Sequence, residues 1–282
     1  MPTDLITVVS GDGAEVSVSL HGGHICSWRT ADGIERLFLS PLTKWDGHTA
    51  IRGGIPVIFP QFGNRGSLQK HGFARTEQWT LVASEVGENG DGLLHLTLSD
   101  STESRLQFPY HFKLDLHITF SGASLDIALL VTNTGQQAFS FTCALHTYLA
   151  AEVEQVAING IGGLRRENSV PDSPLNVDAD GILRINSEVD SIFFEAGAPV
   201  TLVTNNAMVT MQQNGFADAV VWNPWIEVSK SIPDLQDDAY KHFVCIESAA
   251  IEKPLTLAAG AQWDGHQQLT ACAPSIMTSS EK

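Results

Sequence analysis

Hydrophobic and polar positions alternate with a period of two along most of this chain. In HFKLDLHITF (111–120), Phe112, Leu114, Leu116, Ile118 and Phe120 fall on one face, and His111, Lys113, Asp115, His117 and Thr119 on the other. After the turn SGAS comes LDIALLVTNTG, in which Leu125, Ile127, Leu129 and Val131 keep the register, so the two segments predict a long antiparallel hairpin. EVSVSL (15–20), TLVAS (80–84), LLHLTLS (93–99), FSFTCALHTYL (139–149), VTLVT (200–204) and HFVCIES (242–248) predict further strands. Helical periodicity is nearly absent, and the best candidate is a turn or two within DLQDDAYKH (234–242). Strands joined by short turn clusters predict an all-β fold, a large antiparallel sandwich of two sheets. No repeat, low-complexity tract or linker interrupts the pattern. Residues 1–274 therefore read as a single domain, and the tail SIMTSSEK (275–282) as disordered.

Two of these strands carry candidate chemistry. In FSFTCALHTYL, Phe139, Phe141, Cys143, Leu145 and Thr147 form a bulky face, whereas Ser140, Thr142 and Ala144 leave the other face small until it reaches His146. A strand with such a face has room beside it for a ligand, into which His146 would project; a satisfied structural histidine is the competing reading. In HFVCIES both faces are mostly apolar, so the strand reads as central and covered on both sides. Glu247 there is expensive to bury unless it is paired or used. A buried ion pair is the plainer alternative.

Composition narrows the function. The chain has 282 residues, 43% of them apolar, which suffices for a large core. Its net charge of −16 removes the basic footprint that nucleic acid or an anionic membrane surface would need. Cys26, Cys143, Cys245 and Cys272 form no CxxC pair, and the first three lie in or beside apolar runs, as buried free thiols do. The N-terminus lacks a basic region followed by a long apolar one, and no stretch approaches the ~20 apolar residues of a membrane span. The chain reads as soluble and cytoplasmic. Against this acidic background, IRGGIPVIFPQFGNRGSLQKHGFAR (51–75) gathers Arg52, Arg65, His71 and Arg75 among glycines and prolines. Guanidinium groups there either bind an anion in a bidentate fork or neutralise surface carboxylates. HGGH (21–24) lacks a third ligand at any metal-site spacing, and HExxH and zinc-type cysteine frameworks are absent, so no metal is expected. GxGxxG, GKS/T and GxSxG are missing too.

Together, RGGIPVIFPQFG (52–63), HGFAR (71–75), ALHTYLA (144–150), EVDSIFF (188–194), VVWNPW (220–225), DDAYKHFVCIES (237–248) and LAAGAQWDGHQQL (257–269) resemble the hexose-6-phosphate 1-epimerases, relatives of the aldose 1-epimerases. The match is collinear and spans nearly the whole chain. It departs at Ser191, where the family pattern has arginine, and in the spacing after VCIES. The resemblance implies a galactose mutarotase-like β-supersandwich. It implies that His146 is the general acid and Glu247 the general base, and that Arg52 and Arg75 bind the anionic end of the substrate. His71 and Asp190 match sugar-contacting positions, with Gln61 and Asp218 as further candidates.

The implied reaction opens a pyranose by removing the C1 hydroxyl proton and protonating the ring oxygen. Rotation about C1–C2 and closure onto the opposite face complete it. Two acid–base groups on opposite sides of the ring would suffice, without metal or cofactor. Glutamate near pKa ~4.3 is already a base at neutral pH, whereas histidine near ~6.5 is largely neutral, so His146 is expected to be raised by nearby negative charge. The expected partner is a small sugar phosphate, bound by a monomer. A mutarotase of free aldoses and a non-catalytic carbohydrate or sugar-phosphate-binding protein are the alternatives. The second of these has no need of an acid–base pair.

Overall fold

The alternating segments pair into three antiparallel sheets in the computed structural model, which describes residues 5–170, 177–205 and 207–273. The tail 275–282 lies outside the described residues. An eight-stranded sheet runs in the order Ala157–Asn159, Val200–Val203, Met208–Asn214, Gln262–Cys272, Ser124–Asn133, Phe112–Ser121, Gly92–Ser99 and Thr80–Val86. A second sheet runs Arg166–Asn168, Val189–Phe193, Asp218–Asn223, Phe243–Leu257, Phe139–Leu145 and Val57–Ile58, with Tyr148–Ala150 also paired to Phe243–Leu257. Leu5–Val9, Glu15–Ser19 and His24–Arg29 form a small third sheet.

The core lies where the period-two pattern puts it. Phe112, Leu114, Leu116, Ile118 and Phe120 are all buried, and they face a layer that includes Phe139, Phe141, Cys143 and Leu145 from the second sheet. Each such side chain contributes about 1.5–3 kcal/mol when fully buried. The predicted hairpin forms with Phe112 opposite Asn133 and Ser121 opposite Ser124, turning at Gly122 and Ala123. Cys26, Cys143 and Cys245 are buried free thiols, and Cys272 is exposed.

Three expectations change. The segment 139–149 is not one strand: it breaks between Leu145 and Tyr148, so His146 and Thr147 stand outside the ladder. Within 234–242 only a 3-10 turn forms, Ala239–Lys241. Two short α-helices appear instead. Thr102–Gln107 is started by a reciprocal capping box between Ser101 and Ser104, and Trp225–Ser231 follows Asn223 and Pro224. Both are too short for an apolar period to show in sequence.

The segment 52–56 is a strap laid between sheets. Gly54 N–H donates to the Phe38 carbonyl, Ile55 N–H to Ile25, and the carbonyls of Gly54 and Pro56 accept from Tyr148 and His146. Gly53 and Gly54 have φ of +103° and +58°, and a Cβ on Gly54 would lie 2.2 Å from the Ile25 carbonyl oxygen. Gly54→Ala is therefore expected to lower unfolding free energy by roughly 2–4 kcal/mol, from left-handed strain plus that backbone clash. An unchanged urea midpoint would show that the strap yields.

Candidate active site

The outer face of the second sheet carries the site. Register places Ile192 opposite Val220 and Val220 opposite Glu247 in one row. In the next row Asp190 lies opposite Trp222, Trp222 opposite Cys245, and Cys245 opposite Tyr148. Residues between them in sequence, such as Ala219, Val221, Val244 and Ile246, point into the main core. Arg52, His71, Arg75, His146, Asp190 and Glu247 all line one cavity of about 570 Å³, with Lys70, Tyr148 and Trp222. A larger groove of about 880 Å³ on the small sheet has its own His–Glu contact, His242 Nδ1 to Glu152 Oε1 at 3.2 Å, but both residues are exposed to solvent.

His146 and Glu247 touch. Nε2 lies 3.3 Å from Oε1, and both residues are buried. His146 stacks on the Tyr148 ring at 4.9 Å and meets Trp222 edge-on at 6.0 Å. Nδ1 of His146 and Oε2 of Glu247 have no hydrogen-bond partner among the described residues. The pair is thus adjacent rather than split across opposite sides of a ring. Both reacting oxygens of a pyranose are bonded to the same carbon, C1, so adjacency suits them.

Electrostatics reverse the expectation for His146. Burial first, and then the fields of Arg75 and Arg52, hold its imidazole well below the ordinary histidine range. Burial first, and then Asp190, push the Glu247 carboxyl well above the ordinary carboxylate range. The guanidiniums, not the carboxylates, dominate the field at the imidazole. One group is driven down and the other up, which favours a proton on Glu247 beside a neutral imidazole over the imidazolium–carboxylate form.

The two arginines separate into different situations. Arg52 Nε donates to Asp234 at 3.1 Å and its NH1 to the Tyr148 hydroxyl at 3.3 Å. Arg75 has no carboxylate partner among the described residues; its NH2 donates to the Lys70 carbonyl at 2.8 Å, and its buried Nε donates to nothing. Burial first, opposed by Tyr148 and reinforced by Arg52, pushes the Arg75 pKa down to about 10. Exposed Lys70 adds a further cation at the cavity wall. His71 sits at φ +69°, an uncommon conformation for a non-glycine residue. Its Nδ1 accepts from Gly63 N–H at 3.3 Å, which in the neutral ring leaves the proton on Nε2. Burial first, and then His146 and Arg75, keep that ring neutral by lowering its pKa.

Two sequence candidates lie elsewhere. Gln61 does not line the cavity: its amide donates to the Gly63 and Leu68 carbonyls and accepts from Leu68 N–H, stitching the loop that carries Arg65, Lys70 and His71. Asp218 Oδ2 accepts from Ile251 and Glu252 N–H at 2.8 and 2.9 Å, where the strand Phe243–Leu257 bulges after Ala250. Ser191 is buried and bonds Asn168, so the missing arginine removes nothing from the cavity. Tyr148, Lys70 and Trp222 escaped the sequence reading. Alternation did place Tyr148 on the face of His146, and Trp222 lies within VVWNPW, so their signal was present.

Residues 4–270 match the family described as aldose 1-epimerase. The chain is 33% identical over 269 residues to a protein of Cenchrus ciliaris named "Putative glucose-6-phosphate 1-epimerase", covering 92% of this chain and 82% of that one. A protein of the same name from Escherichia coli (strain K12) is 34% identical over 252 residues, covering 87% and 83%. The crystal structure of a "putative mutarotase" from Salmonella typhimurium superposes with a TM-score of 0.86 at 28% identity, covering 97% and 92%.

Asp218→Ala separates fold from site. It orphans two backbone donors at the bulge, so stability should fall by roughly 1–3 kcal/mol in urea unfolding. KM and kcat should not move. A raised KM at unchanged stability would return Asp218 to the substrate.

Proposed function

This chain belongs to the aldose 1-epimerase family, and we propose that it interconverts the α and β anomers of hexose 6-phosphates, with glucose 6-phosphate as the type substrate. Anomer interconversion comes with the family; the phosphorylated substrate is the proposal. The observation that carries it is Arg75, a half-buried guanidinium without a carboxylate partner among the described residues, in a chain of net charge −16. A desolvated cation left unpaired is costly, and a phosphate dianion would offset that cost through charge-assisted hydrogen bonds. Arg52 and Lys70 stand beside it on the same cavity. The names of the relatives agree with this reading.

Phosphate binding would also change the field at the pair. The fields of Arg75 and Arg52 help keep His146 uncharged, and a bound dianion cancels them. The proton on Glu247 then moves toward the imidazole and leaves Glu247 as carboxylate. Glu247 takes the proton of the C1 hydroxyl while His146 gives one to the ring oxygen, and the C1–O5 bond breaks to the aldehyde. After rotation about C1–C2, Glu247 returns its proton to the carbonyl oxygen. His146 takes the proton of the O5 hydroxyl as that oxygen attacks C1, and the pair ends as it began. Each proton transfer typically contributes ~10²–10⁴-fold. His71 Nε2–H and the Asp190 carboxyl serve the sugar hydroxyls in this reading. All these groups come from one chain, in keeping with a monomer. A phosphorylated sugar does not cross bilayers, so the reading puts the protein in the cytoplasm with its substrate.

One observation favours the free-aldose reading: Arg52 is already satisfied by Asp234 and Tyr148. Kinetics on both substrates decide between them. Arg75→Ala should raise KM for glucose 6-phosphate about 10- to 150-fold and leave KM for glucose unchanged. Arg52→Ala should do likewise but also lower stability, because it leaves the buried Asp234 carboxylate unpaired. Equal harm to both substrates would give the free-aldose mutarotase first place.

Glu247→Gln should abolish turnover with little effect on binding; substantial residual kcat would make Glu247 structural. With glucose as substrate, kcat/KM should be bell-shaped. Its acid limb should lie below the ordinary histidine range, where a second proton enters the pair. Its alkaline limb should lie far above the carboxylate range, where the last proton leaves. Removing the Arg75 cation makes the imidazolium easier to form, so Arg75→Ala should move the acid limb upward, toward neutral pH. A limb that stays put or moves down would uncouple Arg75 from His146.

A further inference from the structure

The HGGH turn, residues 21–24, is not part of the cavity, yet it touches both segments that bring arginines to it. Nε2–H of His21 donates to the Thr49 carbonyl at 2.9 Å, and Nε2–H of His24 donates to the Gly53 carbonyl at 2.9 Å. These acceptors lie on either side of Arg52 in sequence. Between the histidines, Gly22 packs on the main chain of Arg75: a Cβ there would lie 2.6 Å from the Arg75 carbonyl oxygen. Gly22 N–H donates to the Glu77 carbonyl at 2.8 Å, tying the turn to the chain just beyond Arg75. Gly23 abuts the Trp79 ring, whose Nε1–H donates to the Ala74 carbonyl, the residue before Arg75.

We infer that the turn 21–24 is a positioning element for the phosphate fork, fixing the Arg52 and Arg75 segments relative to one another and so setting the preference for a phosphorylated over a free sugar. The inference rests on the phosphate reading above. Two guanidiniums grip one phosphate only if their separation is held, because charge-assisted bonds are short and directional. Neither arginine is fixed by its own strand ladder: Arg52 sits on the strap, and Arg75 on a three-residue 3-10 turn, Ala74–Thr76. Arg52 is also held by Ser40 and Thr43, but the turn is bonded to both segments and so gives them a shared reference point. His24 does this as a neutral donor: burial pulls its pKa down to about 3, so it adds no charge of its own behind the fork.

The test uses His21→Ala, His21→Gln, Gly22→Ala and His24→Gln in the full chain. Each is assayed with glucose 6-phosphate and glucose, with inorganic phosphate as competing inhibitor. His21 is half-buried at the mouth of the turn, so its variants keep the test alive should His24→Gln fail to fold. His21→Ala should raise KM for glucose 6-phosphate and weaken phosphate inhibition about threefold to tenfold, the worth of one net hydrogen bond. KM for glucose and kcat for both sugars should not change. His21→Gln, whose amide can still donate to Thr49, should recover part of the loss. Gly22→Ala should show the same selective loss by displacing Arg75. If wild type prefers the phosphorylated sugar and these variants keep that preference, or harm both sugars in parallel, the inference falls alone. If wild type shows no such preference and inorganic phosphate does not inhibit, the phosphate reading falls and takes the inference with it.

Discussion

Burying Glu247 is the constraint on which the rest of the site depends. An ionised carboxylate in the middle of a covered sheet costs several kcal/mol unless its charge is met. Here no fixed cation pairs with it among the described residues; burial pushes its pKa up toward the neutral form, and an imidazole nitrogen lies 3.3 Å away. That choice keeps the carboxyl available for chemistry, since a permanent ion pair would hold its pKa down and its oxygens occupied. The register is the same on both sides of the break, Leu145 opposite Ser248 and Tyr148 opposite Cys245, so His146 lies directly across from Glu247 on the same face. The Tyr148 ring stacks on the imidazole there.

The second organising feature is a local reversal of charge. A protein of net charge −16 repels a phosphate dianion at long range, so affinity must come from groups within a Debye length of about 8 Å at physiological salt. In the proposed reading Arg52, Lys70 and Arg75 supply it beside His146 and Glu247, whereas Arg65 is diverted into an ion pair with Glu167. Because the same guanidiniums press on His146, ligand recognition and acid strength become one electrostatic problem. In that reading a free sugar would make the same hydroxyl contacts but leave that field uncancelled.

Much of this was legible in the chain. The core face of 111–133 follows directly from alternation, because antiparallel strands with one covered face have only one consistent register. The cavity does open at His146, but the small face of FSFTCALHTYL does not line it, because Ala144 packs against Ile58 and Phe62 and the Thr142 hydroxyl accepts from Phe62 N–H; the apolar neighbours of Glu247 did announce its burial. What could not be read was where side chains end. Gln61 and Asp218 matched by position, yet their polar atoms are consumed by backbone donors and acceptors that come together only in the folded chain. The direction of the His146 shift failed for a similar reason. Sequence shows which charges exist, but the sign of the field depends on Arg75 lying close and unpaired while Glu247 is driven neutral. The helix Trp225–Ser231 was missed because Asn223, not periodicity, starts it: its side chain accepts from Trp225 N–H and donates to the Tyr240 and Phe243 carbonyls.

A reaction that moves two protons over short distances asks for a rigid pair more than for moving parts, and the second layer is built accordingly. Thr147 and Ser248 each follow one member of the pair and point to the opposite side of the sheet. There Gln267, fully buried on the eight-stranded sheet, joins them: the Thr147 hydroxyl donates to its Oε1 at 2.6 Å, and its Nε2–H donates to the Ser248 hydroxyl at 3.0 Å. Thr147 also accepts through its carbonyl from Ile246 N–H, the residue before Glu247. The strap closes the other side, with Pro56 accepting from His146 N–H. Across the strand break the backbone therefore stays bonded on both sides, His146 to the strap and Thr147 to the strand Phe243–Leu257. A buried polar network of this kind is stabilising only when every member is satisfied. In this network the unpartnered atoms, Nδ1 of His146 and Oε2 of Glu247, belong to the pair on the cavity side.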